Sequence, residues 1–136
     1  MKLLILDCNK FEYVLDHKTE VGEEVTENMK HAVYDNPTVI FCAIEAKDEE
    51  KIISESAKEI RRITRKNQSK KVILNPFAHL SSQLAQPEKA ISLLNKLTEK
   101  LKECTDFETV RCEFGWYKKF MTDVKGHGNS QIFREY

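Results

Sequence analysis

Lys71-Val72-Ile73-Leu74 runs straight into Asn75-Pro76-Phe77-Ala78-His79-Leu80-Ser81-Ser82, so a short apolar strand becomes a loop carrying a histidine and two hydroxyls. Pro76 fixes one backbone angle and Ala78 leaves room for close approach, which lets the loop offer backbone amides and a small-residue wall to a ligand. In open α/β sheets ligands bind beyond the carboxyl ends of the strands, and His79 follows such an end. The alternative role for His79, or for Ser81, is to cap the helix that follows.

Working outward, the flanks alternate between strand and helix. Val39 to Ile44 is a continuous apolar run and reads as a buried strand. Asp48 then opens a helical segment to about Lys66, with Ile52, Ile53, Ala57, Ile60 and Ile63 or Thr64 on one side at helical spacing. Downstream, Pro87 suits a first helical position, and Ala90, Leu94, Leu97, Leu101 and Cys104 form an apolar stripe. Lys2 to Leu6 and Phe11 to Leu15 read as an N-terminal hairpin turning at Asp7-Cys8-Asn9-Lys10, and the tail returns to strand over Thr109 to Cys112 and Trp116 to Val124. Gly126-His127-Gly128 reads as a turn. Strand, helix, strand, helix, strand implies an α/β fold in which crossover helices and antiparallel hairpins build one mixed sheet.

The 136 residues, 40% hydrophobic and 32% charged, suffice for one domain with a core. With 22 basic and 22 acidic side chains the formal net charge is zero, so no global field draws the chain to nucleic acid or membrane. Charge is still uneven. Glu20, Glu23, Glu24 and Glu27 make an early connector acidic, while Lys58, Arg61, Arg62, Arg65, Lys66, Lys70 and Lys71 gather near the end of the first helix. That basic run is either a solvated face complementing the helix dipole or a phosphate-binding patch. The apolar run in Met1-Lys2-Leu3-Leu4-Ile5-Leu6-Asp7 is too short for a signal peptide and no segment is long enough to span a bilayer, so a cytoplasmic protein is expected.

The second informative stretch is Phe114-Gly115-Trp116-Tyr117-Lys118-Lys119-Phe120. In an extended strand Phe114, Trp116, Lys118 and Phe120 share one face, and Gly115, Tyr117, Lys119 and Met121 the other. An ammonium in an aromatic row loses solvation, which lowers its pKa and suits it to act as base, proton shuttle or close-range electrophile. Otherwise Lys118 snorkels at the sheet edge. Lys119 is the internal comparison, since its face leaves it solvated.

Other chemistries lack their residues. Cys8, Cys42, Cys104 and Cys112 form no Cys-x-x-Cys pair and no histidine lies at finger spacing, so neither a zinc site nor a disulfide is expected. Cys42 reads as a small core residue, and Cys112 as core or strand surface. The four glycines, Gly22, Gly115, Gly126 and Gly128, build no phosphate-cradling loop or dinucleotide fingerprint. Water is then the expected nucleophile if the chain is an enzyme.

Asn75 to Ser82, Phe114-Gly115-Trp116-Tyr117-Lys118 and Lys125-Gly126-His127 closely resemble the N-terminal editing domain of archaeal threonyl-tRNA synthetase, a fold shared with D-aminoacyl-tRNA deacylases. The resemblance runs along the whole chain, through Phe11-Glu12-Tyr13 to the last turn. It implies a three-layer α/β/β, D-aminoacyl-tRNA deacylase-like domain over residues 1–136, a homodimer, no cofactor for editing, and hydrolysis of L-seryl-tRNA(Thr) with threonyl-tRNA(Thr) spared. It implies Lys118 and His79 as the catalytic polar groups. Pro76, Phe77, Ala78, Phe114, Gly115, Trp116 and Tyr117, with Gln131, would bind serine and the terminal adenosine of the tRNA. The ribose hydroxyl of that adenosine is implied as a participant. Three positions depart from the pattern: the family usually has an acidic residue near Gln131, a histidine near Asp7, and often a proline where Gly128 stands.

Two other functions compete. A free-standing D-aminoacyl-tRNA deacylase would share the fold, but its usual Ser-Gln-x-Thr and Gly-Pro signatures are absent, and Ser82-Gln83-Leu84-Ala85 is a poor substitute. An RNA-binding or dimerisation module without catalysis is the other, motivated by Gln131. With no anticodon-reading module and no net charge, the chain is expected to work with the remainder of a threonyl-tRNA synthetase, which would supply most of the tRNA affinity.

Overall fold

The computed structural model describes Met1–Tyr136. Its elements in order are β1 (Lys2–Lys18), β2 (His31–Asp35), β3 (Thr38–Ala43), α1 (Ile52–Lys66), β4 (Lys71–Pro76), α2 (Pro87–Lys102), β5 (Glu108–Arg111), β6 (Trp116–Val124) and β7 (Gln131–Glu135). β3, β4 and β5 are parallel neighbours joined by α1 and α2, as the alternation of patterns implies. All other pairings are antiparallel and all involve β1.

The expected N-terminal hairpin is not formed. Lys2 to Lys18 is one strand of 17 residues, and Asp7-Cys8-Asn9-Lys10 lies within it. Lys2 to Asp7 pairs with β3 and Lys2 to Leu6 with β7, whereas the second half of the strand pairs with β2 and β6. The polar cluster marks a bulge. Between Cys8 and Lys10 the register against β6 slips by one residue, which reverses the facing of every later side chain. Phe11, Tyr13 and Leu15 are thereby turned to the same interior that receives Leu6 and Cys8.

Three layers result. α1 and α2 cover one face of the first sheet, with Leu3, Ile5, Ile40, Val72 and Leu74 packed against Ile53, Ile60, Ile63, Leu94, Leu97 and Leu101. The second sheet, made of β2, the distal half of β1, and β6, folds over the other face and encloses Leu6, Phe11, Tyr13, Leu15, Val39, Phe41 and Ile73. Each such side chain contributes about 1.5–3 kcal/mol when fully buried, so the two interiors carry the fold together.

The helices differ from expectation at their starts. α1 begins at Ile52, not at Asp48. The Asp48 carboxylate instead accepts the backbone N–H of Glu45 at 2.7 Å and pairs with the amino group of Met1, which also meets Glu45 at 3.1 Å. Pro87 does open α2, with no side-chain cap before it. Neither His79 nor Ser81 is a cap: His79 lies in a short 3-10 turn, Ala78–Leu80, and Ser81 Oγ donates to Glu45 Oε1 at 2.7 Å. The acidic connector leads into β2, which its sequence did not announce.

Candidate functional site

The stretch after β4 and the start of β6 meet across a cavity of about 600 Å³ at the carboxyl ends of β3 and β4. Pro76, Phe77, Ala78 and His79 line one side, and Phe114, Gly115, Trp116, Tyr117 and Lys118 the other. Cys42, Ala43 and Ile44 at the end of β3, with Ala90 and Leu94 of α2, close the floor. Nine of the ten residues expected at a site are thus brought together. Gln131 is not: β7 pairs Gln131 with Leu6, which leaves it exposed beside Arg62, Lys66, Asn67 and Arg134 in a separate depression of about 380 Å³.

The walls are aromatic because of two packing choices. Phe77 meets Phe41 at 4.9 Å and 80°, while Phe120 lies 5.5 Å from Phe41 and 6.2 Å from Phe77, between ring centroids. His79 stands edge-on to Phe77 at 5.2 Å and is exposed toward the cavity mouth. Phe114 is not on the strand as expected. It forms a turn with Gly115, whose φ of +74° is a conformation natural to glycine.

Lys118 sits where period-two reading puts it, opposite Leu15 and facing the interior between the sheets, while Lys119 is exposed. Its ammonium Nζ donates to the carbonyl of Glu113 at 2.7 Å. Burial pulls the Lys118 pKa below its ordinary value; Cys112, Glu113 and Glu23 oppose that shift, and Arg111 adds to it. A desolvated, anchored ammonium of this kind can stabilise a developing oxyanion or move a proton. Burial pushes the neighbouring Cys112 thiol up to about 12, and likewise Cys42, so neither supplies a thiolate.

Asn75 belongs to the same site. It is 1% exposed, aligned with Phe41 and among the cavity-lining residues, yet its Oδ1 has no hydrogen-bond partner within the chain. A buried amide oxygen left unpaired is costly, and at this cavity wall it is free to accept a hydrogen bond from a bound molecule. Its signal in the sequence was a polar residue ending the buried run Val72-Ile73-Leu74.

Glu23 and Arg111 also support the site, with no local signal at all. The Glu23 carboxylate accepts Arg111 at 2.7 and 3.1 Å and the Phe114 N–H at 2.8 Å. Burial alone would raise its pKa, but the Arg111 fork and the Phe114 N–H hold it below the usual carboxylate range. Lys125-Gly126-His127 serves elsewhere: His127 Nε2 meets the buried Asp7 carboxylate at 2.7 Å, Lys125 approaches it at 3.2 Å, and His127 Nδ1 accepts the Asn129 N–H. The expected turn is therefore pinned to β1. Four of the seven basic residues in and after α1 are paired, Arg61 with Glu103, Arg62 with Glu59, Arg65 with Asp106, and Lys71 at the start of β4 with Glu108.

Comparison with known proteins agrees with this architecture. The chain is 38% identical over 133 residues to threonine--tRNA ligase of Staphylothermus marinus, covering 97% of this chain and 22% of that protein. It is 34% identical to the same-named protein of Methanothrix thermoacetophila, covering 98% of this chain and 22% of that one. The chain thus spans about a fifth of the length of these relatives. Among solved structures, the c-Myc DNA Unwinding Element Binding Protein superposes with a TM-score of 0.73 at 14% identity, over 100% of this chain and 99% of that one. That likeness bears out the three-layer, D-aminoacyl-tRNA deacylase-like fold. The model of the archaea-specific editing domain of threonyl-tRNA synthetase matches residues 1–136, and the chain belongs to that family.

Proposed function

We propose that this domain hydrolyses the ester of L-seryl-tRNA(Thr) and spares threonyl-tRNA(Thr). The observation that carries the reading is the half-buried Lys118 ammonium, held at the Glu113 carbonyl inside an aromatic cavity that also presents His79 and Asn75. A pocket built for threonine cannot strongly reject serine, because one methyl is worth only ~1–3 kcal/mol, so a second sieve is needed. In this cavity Lys118 polarises the ester or orders water, His79 supports it by hydrogen bonding, and the Asn75 amide binds a polar group of the aminoacyl end. Water adds to the carbonyl carbon, the ribose oxygen leaves and takes a proton, and free serine and tRNA result. The free hydroxyl of the terminal ribose takes part by hydrogen bonding to that water, so no protein nucleophile is required.

In this reading the chain is one editing domain that acts as a homodimer in the cytoplasm, with the rest of a threonyl-tRNA synthetase supplying most tRNA contacts. No helix is long and apolar enough to cross a membrane. A deacylation assay on seryl-, threonyl- and D-aminoacyl-tRNA tests it. Loss of the seryl ester alone supports the proposal; loss of D-aminoacyl esters alone, or of none, overturns it.

A further inference from the structure

The connector Thr19 to Glu23 is bonded to the cavity wall at both of its ends. Both the N–H and the Oγ1 of Thr19 donate to the Gly115 carbonyl, at 2.9 and 2.7 Å. The Glu23 N–H donates to the Phe114 carbonyl at 3.0 Å, and the Glu23 carbonyl accepts the Trp116 indole N–H at 2.8 Å. Its carboxylate holds both the Phe114 N–H and Arg111, whose guanidinium also donates to the Cys112 carbonyl at 3.1 Å.

One residue therefore fixes Arg111, Phe114 and Trp116, on either side of Glu113. That placement matters because the Lys118 ammonium has the Glu113 carbonyl as its one hydrogen-bond partner. We propose that Glu23, working through its fork with Arg111, is a positioning residue that sets the 113–115 turn and with it the pose of the Lys118 ammonium. Glu23 and Arg111 side chains are 26% and 19% exposed, so the fork is shielded enough to be directional and not merely a surface pair. The charged groups around the ammonium are Glu23 from the connector, Arg111 at the end of β5 and Glu113 at the turn, with the neutral Cys112 thiol beside them; His79 faces the same cavity. This inference deepens the deacylase reading and rests on it for its kinetic arm.

Glu23→Gln keeps the size of the side chain and removes the carboxylate that Arg111 needs. Acting through Lys118, it should lower kcat for seryl-tRNA about tenfold, with KM little changed, and should cause no further loss in a Lys118→Met background. Separately, NMR titration of the Lys118 ε-methylene signals should show its midpoint moved by about half a pH unit or more in Arg111→Lys, which keeps both charges beside the ammonium and breaks only the fork. Arg111→Lys, which keeps the charge but not the fork, should reproduce the kcat loss in weaker form. An undiminished kcat, an equal loss in the Lys118→Met background, or an unmoved titration overturns the proposal. Should the wild-type domain leave seryl-tRNA intact, the deacylase reading fails and the titration alone decides the role of Glu23.

Discussion

Gly115 faces Gly22 so closely that a Cβ added to Gly115 would lie 2.6 Å from the Gly22 Cα. The contact is backbone to backbone and cannot be relieved by turning a side chain. Gly115→Ala should therefore cost more than the ~1–2 kcal/mol of the left-handed conformation alone. Urea denaturation should show a loss of at least about 2 kcal/mol with an unchanged slope. A loss below about 1 kcal/mol would mean that the two segments part easily.

Lys118→Met retains the apolar stem and removes the ammonium. Seryl-tRNA deacylation should fall roughly 100-fold or more, while Lys119→Met, on the solvated face, should stay within a few fold of wild type. Because burial lowers the Lys118 pKa, the folded state binds its proton less well than the unfolded chain does. Stability attributable to this group thus rises with pH between the lowered value and its ordinary one. Lys118→Met should accordingly be no less stable at pH 7 by urea denaturation. Near-normal turnover would shift attention to His79 and the ribose hydroxyl.

Asn75 separates stability from activity in the same way. Asn75→Leu removes a buried oxygen that has no partner, a desolvation burden of about 1–3 kcal/mol, in a residue of similar volume. The variant should melt no lower than wild type yet hydrolyse seryl-tRNA about tenfold more slowly. Full activity would show that the amide serves no ligand.

Acid should weaken the domain partly through Glu59. Arg62 first, with Arg134, holds its carboxyl down to about 2. Its folded pKa is below the unfolded one, so its contribution is complete above the ordinary carboxylate range and is lost as pH falls toward about 2. Denaturation midpoints recorded from pH 7 to pH 2 should fall less steeply for Glu59→Gln, from a lower starting point at pH 7. Parallel curves would count against the Arg–Glu59–Arg cluster as an acid-sensitive element.

The outer face of the second sheet carries Val14, Val33, Tyr117 and Met121, all exposed, at 39%, 43%, 65% and 63%. Cross-strand register places them on one side, with Val33 and Met121 flanking Glu12 and Val14 beside Lys119. Apolar surface of that kind suits a self-complementary contact. Sedimentation at micromolar concentration should show a dimer that Met121→Lys weakens; a wild-type monomer would contradict it.

Local pattern was enough for the parallel β3, β4 and β5, for both helices and for the facing of Lys118, since periods of 2 and 3.6 are properties of a chain segment on its own. The motifs at Asn75 to Ser82 and Phe114 to Lys118 pointed to the cavity walls through their resemblance to the editing domain, not through any period of their own. What the tertiary structure alone decided depends on partners distant in sequence. Asp7-Cys8-Asn9-Lys10 reads as a turn, yet neighbours on both sides keep β1 continuous and convert the extra residue into a bulge. Asp48 reads as a helix cap, yet the nearby amino group of Met1 claims its carboxylate. Gln131 reads as a site residue, yet pairing with Leu6 carries it to a different depression. Glu23 reads as one more charge in an acidic connector, and only the approach of Arg111, 88 residues later, makes it a strut of the cavity. Hydrogen bonds between such distant groups leave no period in the sequence, because the chain between them is free to vary while the geometry is kept.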